Sequence, residues 1–344
     1  MKICEIVASY GDGGLENHFV ELCNGLAAKG HEVHVIIPLA FIDRFSEGII
    51  VHRLPLHLSR RNLGLLWKLL RIIKHINPDI IHTHANKSAE LISKIKTFIS
   101  KPCVATLHNI KKNLNGFKKM DAVIGVSQGV LEALSHARKQ VVYNGVSLPN
   151  SSFSRTAILE KFKLSGQRPI IMAIGRLVEA KGFDILIDAW LGIEADLLII
   201  GDGPLKGEFS AQIEKSNLAQ YVHLTGFVDN ANSLITAADF IVISSRREGF
   251  NYVMAEALFQ SIPVISTDVP APNEILPKDY LVPVADSKAL HNLLKHCLDN
   301  PETLASDYQT VFDWAQQTLS LDGMVSNTEK VFNGLIGSSS NNKN

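Results

Sequence analysis

Glu248 and Glu256 stand in the segment Glu248-Gly249-Phe250-Asn251-Tyr252-Val253-Met254-Ala255-Glu256, the first beside a strand end and the second inside an apolar helical run. Paired carboxylates suggest glycosidic-bond hydrolysis, but eight helical steps span roughly 12 Å, beyond the roughly 5 to 9.5 Å that such pairs need. Gripping sugar and ribose hydroxyls suits them better, since Glu256 among Val253, Met254, Ala257 and Leu258 is costly to bury without partners. Arg176 and Lys181 lie in Gly175-Arg176-Leu177-Val178-Glu179-Ala180-Lys181-Gly182-Phe183. Two cations at the C-terminal end of a strand, just before a helix, can neutralise a diphosphate; solvated loop charges look the same in a sequence.

The first turn, Ser9-Tyr10-Gly11-Asp12-Gly13-Gly14-Leu15-Glu16, has glycines between a strand and a helix, where backbone N–H groups can approach a phosphate. It is not a dinucleotide fingerprint, because Glu16 takes the slot of the third small residue and the second strand ends Ile36-Ile37-Pro38 without a ribose-binding acid. It also lacks the Gly-Lys-Ser/Thr of a nucleoside triphosphate loop. His82 and His84, in Ile81-His82-Thr83-His84, share one face of a strand, yet no third ligand follows at metal spacing, so they read as an acceptor contact at most. His108 ends another strand, in Ala105-Thr106-Leu107-His108.

The elements that must hold these residues are short β-branched runs alternating with segments of helical period, the pattern of parallel strands buried between helix layers. Strands are expected near residues 2–9, 31–37, 49–54, 79–84, 102–107, 122–126 and 140–143, and again near 170–174, 196–200, 222–226, 239–243 and 263–266. Between the two series the sequence loosens into Ser, Pro and Asn, with a short helix at 157–162. The expectation is therefore α/β, with two doubly wound domains: 1–150, 151–336 with its last helix packing back on the first domain, and a disordered Gly/Ser/Asn tail at 337–344.

A length of 344 residues fits two such domains. The 34 basic and 34 acidic residues cancel, which gives no reason to expect a nucleic acid. Residues 1–150 nonetheless hold 19 Lys/Arg against 11 Asp/Glu, a charge of +8 that the rest of the chain offsets with −8. The four cysteines stand singly within apolar runs and read as buried thiols of a reducing compartment. Glu5 interrupts the apolar start of the chain, and no run reaches the roughly 18 to 20 apolar residues of a membrane span. A cytoplasmic protein, at most peripheral at the inner face of the cell membrane, is expected.

Glu248 to Glu256, Gly175-Arg176-Leu177 through Lys181-Gly182, Gly201-Asp202-Gly203-Pro204-Leu205 and Gly13-Gly14-x-Glu16 together resemble the retaining family-4 glycosyltransferases of GT-B fold. The resemblance spans nearly the whole chain and implies two Rossmann-like domains, a nucleoside diphosphate sugar donor held mainly by the second, a glycan or lipid-linked acceptor held by the first, no cofactor and no metal. Residue by residue it implies that Gly14 offers its backbone near the donor phosphates, Arg176 and Lys181 clamp the diphosphate, and Glu248 binds donor-sugar hydroxyls. It places the N–H groups of Phe250 and Asn251 at a helix start facing phosphate, Glu256 on ribose hydroxyls, the base near Gly203 and Val228, and His108 against the reacting sugar. The pattern departs at Thr267–Ile275, where prolines stand in place of a glycine-rich stretch.

The run His57 to Lys74 has five Lys/Arg, no acid and Trp67. A basic amphipathic helix with an aromatic is a membrane-surface signature, and Lys111, Lys112, Lys118 and Lys119 add charge. An anionic membrane surface is thus a further expected partner; the bland alternative is a helix whose apolar stripe packs on the sheet. The function expected is hexose transfer to a glycan in cell-surface polysaccharide assembly, including lipopolysaccharide, with a non-catalytic nucleotide-sugar-binding scaffold as its rival.

Overall fold

A computed structural model describes residues 1–11, 13–38, 44–147 and 152–341, with side chains to 337. The chain divides into two compact units, Met1–Gly145 with Ser320–Asn344, and Val146–Leu319. The junction expected at 150/151 lies outside the described residues, as does Asp12 of the first turn.

The first unit is a seven-stranded sheet of β1 (Lys2–Val7), β2 (Glu32–Pro38), β3 (Ile50–Leu54), β4 (Ile80–His84), β5 (Cys103–Leu107), β6 (Ala122–Gly125) and β7 (Lys139–Val141), in the order β3-β2-β1-β4-β5-β6-β7. All its pairings are parallel. These strands read as near-continuous apolar runs because helices cover both faces. The order reverses between β1 and β4, and their register sets Glu5 opposite His82 and Val7 opposite His84. Beside the sheet, the Gly14–Ala28 helix buries Phe19, Leu22, Cys23 and Leu26 against Met324, Val325, Phe332 and Leu335 of the Leu321–Asn341 helix. That final helix therefore packs on the first unit, and it continues to Asn341 instead of giving way to a tail at 337. Gly323 lies in its first turn, and the helix before it ends on its C-cap, Leu319.

The second unit has six strands, β8 (Ile170–Ile174), β9 (Asp196–Ile200), β10 (Val222–Gly226), β11 (Phe240–Ile243), β12 (Val264–Thr267) and β13 (Leu281–Val282), in the order β10-β9-β8-β11-β12-β13 and all parallel. The order reverses between β8 and β11. In an open α/β sheet ligands bind outside the carboxyl ends of the strands at such a reversal, so the loops after β8 and β11 are where this unit's chemistry belongs. Among the described residues no helix is long and apolar enough to cross a membrane. All four cysteines are free and buried.

Candidate active site

The loop after β8 and the loop after β11 are sewn together by their backbones. Arg246 N–H donates to the Ala180 carbonyl at 2.8 Å, and the Ser244 hydroxyl to the Lys181 carbonyl at 2.9 Å. The Arg246 guanidinium forks onto both oxygens of Asp184 at 2.7 and 2.6 Å and reaches the Glu179 carbonyl at 3.0 Å. This bidentate partner holds the Asp184 carboxyl below the ordinary aspartate range. Gly182 lies at the tightest point, with φ +63° and its absent Cβ position 2.1 Å from the Ser244 carbonyl oxygen. Only glycine fits there, for conformational and steric reasons alike.

This stitching delivers Lys181 Nζ to 2.6 Å from Glu248 Oε1. The same oxygen accepts from the Ser245 hydroxyl at 2.7 Å and from Asn251 Nδ2 at 3.0 Å. Glu248 is 8% exposed, and a carboxylate that dry needs donors of this kind. Asn251 does two jobs, because its Oδ1 also accepts from Met254 N–H at 2.9 Å and caps the Tyr252–Phe259 helix. That helix starts at Tyr252, so Phe250 and Asn251 precede its first turn. Arg176 is exposed and makes no ion pair with the described residues.

Glu256 corrects one expectation. It is half-buried, whereas Met254, Ala255, Ala257 and Leu258 are buried. Helical period places it on the less covered stripe with Tyr252, Val253 and Phe259, not among the core residues that flank it in sequence.

Gly203 and Val228 lie in the loops after β9 and β10, which an antiparallel bridge between Gly201 and Gly226 holds side by side. A Cβ at Gly203 would meet the Leu177 carbonyl oxygen at 2.5 Å, so this loop packs directly on the one that carries Arg176.

In the first unit Gly14 is exposed at the start of its helix, and Glu16 is 4% exposed with Oε2 accepting from Gly13 N–H at 3.0 Å and Oε1 bonded to the Ser9 hydroxyl. The acid that broke the dinucleotide pattern thus closes the turn on itself.

The histidines are a second correction. His82 and His84 are fully buried and turned onto Glu5, itself fully buried: His82 Nδ1 lies 2.9 Å and His84 Nε2 2.8 Å from Glu5 Oε2, and His82 Nε2 lies 2.7 Å from Thr106 Oγ1. They are core groups, not an acceptor contact. His84 Nδ1 lies 3.3 Å from His108 Nε2, and the His18 ring lies 4.7 Å from that of His108 between centroids. Burial pushes His18 down to about 3 and His84 and His108 well below the ordinary imidazole range. Only His108 of this group is partly exposed. Spacing along the chain could not show it, because the neighbours of His82 and His84 come from β1, the Gly14–Ala28 helix and the end of β5.

Two family descriptions tile the chain: Glycosyltransferase Family 4 over residues 12–149 and Glycosyl transferases group 1 over residues 168–300. The lipopolysaccharide core biosynthesis glycosyltransferase LpsE of Rhizobium meliloti is 29% identical over 265 residues, 74% of this chain and 76% of that protein. The N-acetylgalactosamine-N,N'-diacetylbacillosaminyl-diphospho-undecaprenol 4-alpha-N-acetylgalactosaminyltransferase of Campylobacter jejuni is 26% identical over 303 residues, 78% and 80% of the two chains. In fold, the chain is similar to Anabaena HepE, solved in complex with UDP, with a TM-score of 0.83 at 19% identity over 97% and 100% of the two chains. With its two parallel sheets and these matches across both units, the chain belongs to the family-4 glycosyltransferases of GT-B fold.

Proposed function

We propose that this glycosyltransferase moves a hexose-type sugar from a nucleoside diphosphate sugar to a lipid-linked glycan acceptor, with retention of anomeric configuration, in the assembly of a cell-surface polysaccharide such as lipopolysaccharide. The observation that carries the reading is the convergence of Lys181, Glu248, Ser245 and Asn251 at the strand reversal of the second unit. Arg176 and Lys181 meet the charge that grows on the departing diphosphate, the role a metal ion plays elsewhere. Glu248, oriented by Lys181, Ser245 and Asn251, accepts hydrogen bonds from donor-sugar hydroxyls. The start of the Tyr252–Phe259 helix, capped by Asn251 after Phe250, faces phosphate; Glu256 holds ribose hydroxyls, and the loops bearing Gly203 and Val228 hold the base. In the first unit Gly14 lies by the phosphates and His108 by the reacting sugar. The relatives' names, which speak of a lipopolysaccharide core and a diphospho-undecaprenol acceptor, support the acceptor class. So does a groove of about 630 Å³ in the first unit whose lining includes Arg61, Lys87 and Lys94 beside the paired Arg60 and Glu90. Calorimetric titration with nucleoside diphosphates tests the donor half: one of them binds wild type, and Glu256→Gln weakens it by about 1 kcal/mol or more, as a lost charged hydrogen bond should. Unchanged affinity in that variant removes the ribose assignment.

The acceptor half implies docking of the first unit on an anionic membrane, at the inner face of the cell membrane. In the Leu63–Ile76 helix, Leu65, Leu69, Ile73 and Ile76 are spent in the core, yet Leu63 at 80% and Trp67 at 56% remain exposed. On the same outer stripe stand Arg71, whose guanidinium lies 4.7 Å from the Trp67 ring centre, and Lys74. Arg60 is occupied by Glu90 at 2.8 Å, leaving Arg61, Lys68, Arg71 and Lys74 as the exposed cations of this segment. Each cation near an anionic surface contributes about 1 kcal/mol. Co-sedimentation should show binding to anionic but not neutral vesicles, lost in the Arg61/Lys68/Lys74 triple Glu variant and at about 1 M salt, where the Debye length is about 3 Å. No binding to either vesicle at low salt rejects the docking.

A further inference from the structure

His18, on the Gly14–Ala28 helix, His84, at the end of β4, and His108, just after β5, place one ring nitrogen each within 4.8 Å of the others. The 3.3 Å between His84 Nδ1 and His108 Nε2 matches the edge of a tetrahedron of nitrogens about 2.0 to 2.1 Å from a zinc ion. His18 is 3% exposed, and its ring nitrogens make no well-formed hydrogen bond among the described residues, Asn144 being their one polar side-chain neighbour besides the histidines. Buried polar atoms are ordinarily satisfied, so a poorly satisfied ring beside two other imidazoles leaves room for a ligand. Glu5 Oε2 lies 2.8 Å from Nε2 of His84, on the far side of the ring from the Nδ1 that faces His108 Nε2 at 3.3 Å. A carboxylate on the far nitrogen of a histidine is the usual outer layer of a zinc site, where it orients the ring and raises its basicity. The neighbouring group of Glu5, His82 and His84 is a different case, because Glu5 and Thr106 already occupy its nitrogens.

We propose that His18, His84 and His108 form a three-imidazole site for a zinc-class divalent cation, with Glu5 as its outer carboxylate. The ion ties the Gly14–Ala28 helix to the ends of β4 and β5, and the partly exposed His108 marks its entry and an open fourth position. The site does not depend on the sugar contact assigned to His108.

The test uses tag-free full-length protein, stripped with chelator and then titrated with Zn²⁺ or Co²⁺. The expected result is one zinc per chain by elemental analysis, a raised thermal midpoint, and the strong visible absorption of tetrahedral Co²⁺. His18→Gln should abolish stoichiometric binding. Glu5→Gln should weaken it by about 10- to 100-fold, as loss of such outer partners does. His34→Gln, which removes one ring of the separate His34–His52 pair, should bind as wild type does. Sub-stoichiometric zinc in wild type, or the weak absorption of octahedral Co²⁺, overturns the proposal, and both readings stand even if His18→Gln fails to fold. Binding unchanged in a folded His18→Gln, or lost in His34→Gln, overturns it equally.

Discussion

Arg176→Ala and Lys181→Ala should each lower kcat by about 10²- to 10³-fold, the usual cost of removing one preorganised group from a developing negative charge. The donor's KM should change less, because the diphosphate carries more charge as it leaves than when bound as the sugar ester. The two variants should differ in a second respect. Arg176 is exposed without an ion-pair partner among the described residues, so its loss costs little stability. Lys181 pairs with Glu248 at 2.6 Å, and its removal leaves a nearly buried carboxylate with Ser245 and Asn251 as its remaining side-chain donors among the described residues. Lys181→Ala should therefore also destabilise the second unit, by about 1 to 3 kcal/mol in urea melts. Turnover at the wild-type rate in both variants contradicts the clamp.

Gly182→Ala should be nearly as damaging without removing any functional group. The new Cβ would sit 2.1 Å from the Ser244 carbonyl oxygen at φ +63°, and that oxygen belongs to the backbone at the end of β11, which cannot yield as a flexible side chain could. The loop must move instead, breaking the bonds from Arg246 N–H to Ala180 and from Ser244 to Lys181. A displacement of about 1 Å in a positioned group can cost about 10²-fold in rate, and the backbone strain adds about 1 to 3 kcal/mol of instability. The control is Gly207→Ala in the Lys206–Lys215 helix, where nothing lies within 4 Å of the new methyl group. It should keep full activity and gain up to about 1 kcal/mol in stability. Equal activities for the two variants, measured as kcat at saturating donor, contradict the positioning role of the stitched loops.

The strands were legible because parallel strands covered on both faces read as continuous β-branched runs; β13, two residues long, is too short to show any period. Arg176, Lys181, Glu248 and Glu256 were legible as chemistry through their neighbours in sequence. Their partners were not. Lys181 and Glu248 are 67 residues apart, and Arg246 and Asp184 are 62 apart; only the β8–β11 adjacency brings them together. Glu256 was misjudged because its apolar neighbours were counted along the chain, whereas burial in a helix follows its period. The histidine cluster was missed for the same kind of reason: local spacing offers His82 and His84 alone, and the sheet register supplies Glu5, while His18 and His108 arrive from other elements.

The most direct measurement is turnover of a panel of nucleoside diphosphate sugars by full-length protein in buffer without added divalent cation, followed by release of the nucleoside diphosphate. The account predicts slow hydrolysis of one donor class, unchanged by added Mg²⁺ or Mn²⁺ and lowered by about 10²-fold or more in Lys181→Ala and Glu248→Gln. Release that requires either added cation, or that persists undiminished in both variants, would contradict it.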